Sequence, residues 1–492
     1  MDLPRLPIIV GASALSLILG FGALAVYRIY FHPLSKYPGP EYAIASGLVY
    51  WYISIAGDIP YWVHRMHETY GETVRLGPDR LSFIHPQAWK DIYGHRVGAA
   101  SKKAISKDPR KYPPEYDGSY NMATMVDDHA HARARKIFTN AFSDRALREQ
   151  EPMIRSYTAH FIRNLYEVKG ETDLVTQLNC TTFDIMGDLT FGESLGLLSN
   201  SELSPWVKAI FENLKVGELL SIGHDYPILG ALMYAVLPKS LRDQQRRHFE
   251  HSAERVDRRI AKGDTAKPDI WKLALSKGKD VLDKGTMYAH SSAFMIAGSE
   301  TTATAVSGAT YFLLKNPDKM RKLTEEVRSL ESEEDLTLDA LQHMKYLSAC
   351  LEEALRMYPP VPIGLARIVT EGGSAVCGEW IPPKTRVSVP QYAAYYSPRN
   401  FKDPESFIPE RWLPDTGFDS DRKDALQPFS TGPRNCLGKN LAYHEMRILL
   451  AKLLWHFDLE LSPKCQNWNE QKNYALWEKH PLYVTLKPIR QK

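Results

Sequence analysis

The chain is short of cysteine: 492 residues hold five, namely Cys180, Cys350, Cys377, Cys436 and Cys465. None forms a CxxC pair or joins histidines at zinc spacing, which argues against a disulfide framework or structural zinc and fits a reducing compartment. An excess of either charge is also missing. With 61 Lys and Arg against 58 Asp and Glu, the net charge is +3, so nothing in the balance points to nucleic acid or to a polyacidic partner. Internal repeats, low-complexity linkers, a G-x-G-x-x-G fingerprint and a recognisable flavin module are absent too, so no nicotinamide or flavin site of the chain's own is expected.

What is present begins with one long apolar run. Residues 6 to 27, LPIIVGASALSLILGFGALAVY, carry no charge and lie between Arg5 and Arg28. About 20 apolar residues span a bilayer as a helix, whereas the apolar core of a secretory signal is typically about 7 to 15. The run reads as an uncleaved membrane anchor; the alternative, a signal peptide, is weakened by the length and by the lack of a small-x-small cleavage site. Arg28, His32 and Lys36 follow the run while Asp2 offsets Arg5, so the positive-inside tendency puts the C-terminal part in the cytosol. Tyr37-Pro38-Gly39-Pro40 then forbids helix continuation. The length prior of roughly three domains overcounts. An anchor over residues 1–30 and a single catalytic domain over 31–492 are expected.

Helical periodicity dominates that domain. Apolar positions recur at three and four over 127–148, about 151–168, 241–262, 284–315, 317–330, 345–358 and 439–456. Strand-like runs are fewer: a hairpin over 70–84, short Val/Ile runs over 365–392, and a strand pair near 483–486. Residues 396–428, rich in Pro, Asp and Asn, read as a long ordered meander or a mobile loop.

Chemistry concentrates at Phe429-Ser430-Thr431-Gly432-Pro433-Arg434-Asn435-Cys436-Leu437-Gly438. A lone cysteine is most often an inert buried residue. Here Gly432 and Gly438 allow close backbone approach to a flat ligand, Arg434 adds positive charge, and the helix that follows offers N-terminal N–H groups to an anion. The loop is suited to a thiolate, either as a ligand or, with His444 on the next helix as base, as a nucleophile.

The pattern Phe429-x-x-Gly432-x-Arg434-x-Cys436-x-Gly438 resembles the haem-binding signature of the cytochrome P450 family. The resemblance implies a mainly α fold with small β-sheets and one N-terminal transmembrane helix. It makes Cys436 the axial ligand of haem b, puts Arg434 on a haem propionate and packs Phe429 beside the sulfur. A thiolate ligand pushes electron density to iron and favours O–O cleavage. Other stretches are similar to the family in the same order. Glu353 and Arg356 share a helix face and resemble its ExxR pair, with Arg411 of Pro409-Glu410-Arg411-Trp412 completing a structural network. Ala297-Gly298-Ser299-Glu300-Thr301-Thr302 resembles its oxygen-binding groove, with Thr301 bonding back to the Ala297 carbonyl and donating to oxygen, and Glu300 supplying or gating protons; close helix packing is the plainer reading of Gly298. In DDHAHARARKIFTNAF, Arg135 is a propionate ligand by position and His131 stands where the family has Trp; Arg367 is a further propionate candidate.

These likenesses imply a haem-thiolate monooxygenase of the microsomal type, similar to members from filamentous fungi. Its electrons come from NADPH through a separate NADPH–cytochrome P450 reductase, with cytochrome b5 as an additional partner. The endoplasmic reticulum membrane is the expected location, single-pass, with the catalytic domain cytosolic. Arg135, Lys136 and Lys439 are docking candidates. By family position the pocket is lined from residues 105 to 127 and by Phe294, Ala297, Val361, Ile363, Leu365, Leu476 and Trp477, a mostly apolar set that suits a hydrophobic substrate such as a terpenoid, polyketide or alkaloid intermediate. A haem-thiolate isomerase or dehydratase and a non-catalytic haem-binding membrane protein are the competing readings, both disfavoured by the Gly298/Glu300/Thr301 set.

Overall fold

The computed structural model describes residues 5–95, 105–263, 268–275 and 282–490. A first helix, Arg5–Val26, runs on into a widened turn, Tyr27–Phe31, and its stretch Gly11–Phe31 is long and apolar enough to cross a membrane, with none of it buried against the rest of the chain. Its exit is pinned rather than loose. Arg28 Nη1 donates to the Ala45 carbonyl (2.7 Å), Arg75 Nη1 donates to the Arg28 carbonyl (2.8 Å), and the Arg75 N–H donates to the Pro38 carbonyl (2.8 Å). Gly39 is required in this turn, because a Cβ there would lie 2.0 Å from the Arg75 carbonyl oxygen.

The body is helical around one long element, Lys284–Lys315, started by Asp283, whose carboxylate accepts from the Thr286 N–H (2.8 Å). Most of that helix is buried, and it packs along Leu174–Phe191, itself buried nearly throughout. Gly308 permits close approach, since a Cβ there would meet the Tyr358 ring at 2.7 Å. A second apolar cluster lies under a five-stranded sheet in the order Thr73–Gly77, Arg80–Phe83, Arg386–Ser388, Arg367–Val369, Ile105–Lys107. All its pairings are antiparallel except that of Arg80–Phe83 with Arg386–Ser388. Tyr483–Pro488 pairs with both Glu171–Asp173 and Phe457–Leu461 near the C-terminus.

The helical expectations hold with one displaced boundary. The break after residue 127 falls at Thr139–Phe142, and Ser143 caps a single helix, Asp144–Glu167, that carries Pro152 inside it. The 396–428 stretch is an ordered meander of short 3-10 turns, Pro409–Trp412 and Lys423–Ala425, and it ends at the cysteine loop.

That meander is tied to helix Lys345–Met357 through Glu353, which is fully buried. Arg356 donates to it through Nε (2.9 Å) and Nη2 (2.8 Å), Arg411 Nε (3.0 Å), Trp412 Nε1 (2.9 Å) and the Ile408 N–H (2.9 Å) join them, and Arg411 also pairs with Asp421. Two carboxylates thus meet two guanidiniums, and the remaining Arg356 donors go to the Tyr395, Pro404 and Ser406 carbonyls. Burial alone would raise the Glu353 carboxyl, but Arg356 and Arg411 outweigh it and hold it below its ordinary value. Its stabilising contribution is therefore complete above about pH 4.3, the unfolded carboxyl value, and is lost as pH falls through the lower folded value. Replacing Glu353 by Leu leaves the buried Arg356 without a carboxylate and Arg411 with Asp421 alone, and a loss of about 3–5 kcal/mol is expected in denaturant unfolding, enough to leave little folded protein; an unchanged midpoint would show that the network does not hold the fold.

Candidate functional site

Between the long helix and the cysteine loop lies a cavity of about 390 Å³. The loop owes its shape to backbone that few residues adopt. Ser430 has φ 57° and Gly432 φ 75°, and a Cβ on Gly432 would lie 2.0 Å from the Tyr93 carbonyl oxygen. The Cys436 N–H donates to the Phe429 carbonyl (2.9 Å), which closes the loop just before helix Lys439–His456 begins. Cys436 is exposed and lines the cavity. Burial pushes its thiol up, against the Gly438 N–H and the charges of Arg135 and Lys439. Gly438 meets nothing nearer than the Phe142 ring, 3.8 Å from where a Cβ would stand, so the cavity floor beside the cysteine is open. Phe429 lines the floor and leans on Tyr443, ring centres 5.0 Å apart.

The opposite wall is the long helix, which turns Ala293, Phe294, Ala297, Gly298, Thr301 and Thr302 to the cavity. Thr301 Oγ1 donates to the Ala297 carbonyl (2.7 Å), the back-bond expected from the sequence. Gly298 lies where a Cβ would come 2.6 Å from the Met186 sulfur, so close helix packing accounts for it while it also lines the cavity.

Glu300 is placed elsewhere. One residue before Thr301, about 100° round the helix, it points away from the cavity and pairs in the interior with Lys479, while Thr304 Oγ1 donates to it (3.4 Å). Burial raises its carboxyl despite the Lys479 ammonium. The carboxyl on the cavity wall is instead Glu445, raised to about 8 by burial and lying beside Thr302 outside hydrogen-bond geometry. A signal for it exists in the sequence: Glu445 interrupts the apolar stripe Leu441–Glu445–Leu449.

One end of the cavity is basic. Arg434, Arg135, Arg367 and His131 all reach it, joined by Lys107, which sequence reasoning did not single out. Arg434 donates to Asp128 Oδ1 (2.7 Å through Nη2) and to the Met125 and Val126 carbonyls. Arg135 donates to the Asn435 carbonyl (2.7 Å) and to Asn435 Oδ1 (2.6 Å), so it braces the cysteine loop and is not free for surface docking. Burial, then Arg434 and Lys107, depress the His131 imidazole to about 4, which keeps it neutral. Arg367 Nη1 is buried without a partner.

Of the expected pocket residues, Phe294, Ala297, Val361 and Leu365 line the wall, with Lys107, Tyr112, Met122 and Ala123 from the 105–127 stretch. Ile363 does not. Gly364 is pressed against Ser388, which turns the chain, and Ile363 packs into the second core instead. Leu476 and Trp477 are also off the wall: Ala475, at φ 67°, makes the turn between two short strands, and Trp477 stacks on Tyr358 (5.2 Å, 12°) and donates to the Pro359 carbonyl (2.8 Å).

Comparison with known proteins agrees with this geometry. The family model described as Cytochrome P450 matches residues 38–486. Cytochrome P450 monooxygenase FUM2 of Gibberella moniliformis is 48% identical over 474 residues, covering 95% of this chain and 100% of the relative. Cytochrome P450 monooxygenase AMT3 of Alternaria alternata is 45% identical over 474 residues (95% and 96%), and averantin hydroxylase of Dothistroma septosporum is 39% identical over 503 residues (99% and 94%). The chain belongs to the cytochrome P450 family; it is a haem-thiolate monooxygenase of small molecules whose electrons derive from NADPH through a reductase.

The residues present fit that prosthetic group. An orphaned guanidinium nitrogen on Arg367 and a basic cavity end suit a group bearing carboxylates, the open floor at Gly438 suits a flat one, and a thiol stands in that floor. Gly432→Ala sets a methyl against the Tyr93 carbonyl and forces a left-handed alanine, worth about 1–2 kcal/mol before the clash is counted. A sharp fall in haem per polypeptide at unchanged far-ultraviolet circular dichroism is expected; full haem content would contradict the loop's role as a rigid cradle.

Proposed function

We propose that Cys436 supplies the axial thiolate and that the enzyme hydroxylates, epoxidises or otherwise oxidises an apolar small molecule held between Phe294 and Ala297 on one side and Val361 and Leu365 on the other. The observation that carries this reading is that one cavity has a cysteine open to it in its floor and the Ala297–Thr301 turn in its opposite wall. When bound, the haem supplies oxygen activation, which a thiolate ligand favours. The chain's own residues do the rest. Arg434, Arg367, Arg135 and His131 orient the group through its carboxylate edge; Phe429 covers the sulfur; Gly438 leaves room for the ring; Thr301 holds a proton at Oγ1 that can leave its bond to the Ala297 carbonyl. Glu300 enters as the partner of Lys479, fastening the long helix to the C-terminal segment.

The same reading assigns residues 1–30 to the anchor and 31–492 to the catalytic domain. It places the enzyme in the endoplasmic reticulum membrane, single-pass, with the domain on the cytosolic side. The exposed apolar helix Pro227–Val236, with Ile228 80% and Val236 81% exposed, supports a lipid-facing side. Exposed Lys136 and Lys439 suit docking of NADPH–cytochrome P450 reductase, with cytochrome b5 as a second donor. The apolar wall and the fungal relatives support a terpenoid, polyketide or alkaloid intermediate as substrate.

Cys436→Ala should abolish the red-shifted Soret band of the reduced carbon monoxide complex, and persistence of that band would sink the ligand assignment. Thr301→Ala should keep its haem but divert NADPH electrons to peroxide, lowering product per NADPH roughly tenfold, the size of one lost hydrogen bond of about 1.4 kcal/mol; unchanged coupling would count against the proton role.

A further inference from the structure

Lys107 and Arg367 stand directly opposite each other across the antiparallel strands Ile105–Lys107 and Arg367–Val369. Both are buried, 7% and 5% exposed, and both reach the cavity wall. Like charges in directly opposed positions destabilise a sheet, and the low dielectric of the interior strengthens the repulsion.

No carboxylate among the described residues answers them. Lys107 bonds the Ala123 carbonyl and sits over the Tyr112 ring (4.2 Å), and Arg367 Nη1 has no partner. Asp108, the next residue along, is taken by Arg110 Nε (2.9 Å) and lies 3.5 Å from Arg386 Nε, and Asp128 is engaged by Arg434. Glu445, the carboxyl on the described cavity wall, is next to Thr302 on the helical side. Burial, then Arg367 and Arg434, push the Lys107 ammonium down to about 6, as expected of a cation without a counter-ion.

We propose that Lys107 binds a haem carboxylate beside Arg367, so that the prosthetic group clamps the strand Ile105–Lys107 to its neighbour. The proposal rests on the haem reading above. It also complements His131: a neutral imidazole there gives at most one donor, and Lys107 adds a cationic one from the sheet. Because Tyr112, Met122 and Ala123 follow the clamped strand and line the cavity, loading the haem also sets the substrate wall.

The test is the rate at which purified holoenzyme releases haem to excess apomyoglobin, measured with native haem and with iron protoporphyrin dimethyl ester, whose carboxylates are blocked. Lys107→Met should release native haem roughly tenfold faster, the loss of one charge-assisted hydrogen bond. With the ester, wild type and variant should agree within about twofold, because the interaction is already absent. Lys107→Arg should stay close to wild type with native haem. An unchanged rate for Lys107→Met, or an equal acceleration with both haems, would overturn the proposal by reducing Lys107 to a packing residue. Should Lys107→Met retain no haem, Lys107→Arg decides: retention supports the cation, and equal loss refutes it. The carbonyl spectrum of wild type reports separately on the thiolate, so failure here leaves that assignment distinguishable.

Discussion

The buried Glu353 carboxylate is the point on which the rest of the structure depends. Its two oxygens receive two arginines, an indole N–H and a backbone N–H, and these donors come from a helix and from a meander of short 3-10 turns. A segment as polar and proline-rich as 396–428 cannot be ordered by burying apolar surface alone. Fixing it by charge-assisted bonds gives the chain a defined approach to the cysteine loop, where Gly432 must pass against the Tyr93 carbonyl. The site's precision is thus inherited from electrostatics remote from it.

The cavity itself is divided by charge. Its basic end gathers Lys107, His131, Arg135, Arg367 and Arg434, while Phe294, Ala297, Val361 and Leu365 carry no charge. Such a division orients a flat ligand with one ionised edge in a single sense, since the reverse placement would bury carboxylates among hydrocarbon. Binding and orientation follow from one arrangement of side chains.

Much of this was legible in the sequence where one face of an element meets solvent. Pro317–Arg328, which buries only Leu323 and Val327 along one face, announces itself by period. Leu174–Phe191 does not, because it is buried all round and its sequence carries no stripe. At the site, Cys436, Arg434 and Thr301 lie within short contiguous motifs. Lys107 lies in a three-residue strand whose meaning depends on register with a partner far along the chain, and Asp421 joins the Glu353 network only because the meander folds back. Glu300 and Trp477 show the converse: a motif names the residue, but helix rotation in one case and a left-handed turn at Ala475 in the other decide which way it faces.

The pinned exit of the first helix has a mechanical consequence. With Arg28 held by Ala45 and Arg75, and Gly39 wedged against the Arg75 backbone, the helix cannot swivel as a slack leash would. Any bilayer that takes up that helix therefore fixes the tilt of the whole body. Encounters with other residents of the same membrane then become collisions between pre-aligned faces in a plane, and lateral diffusion replaces the tumbling search that a free-floating enzyme would need.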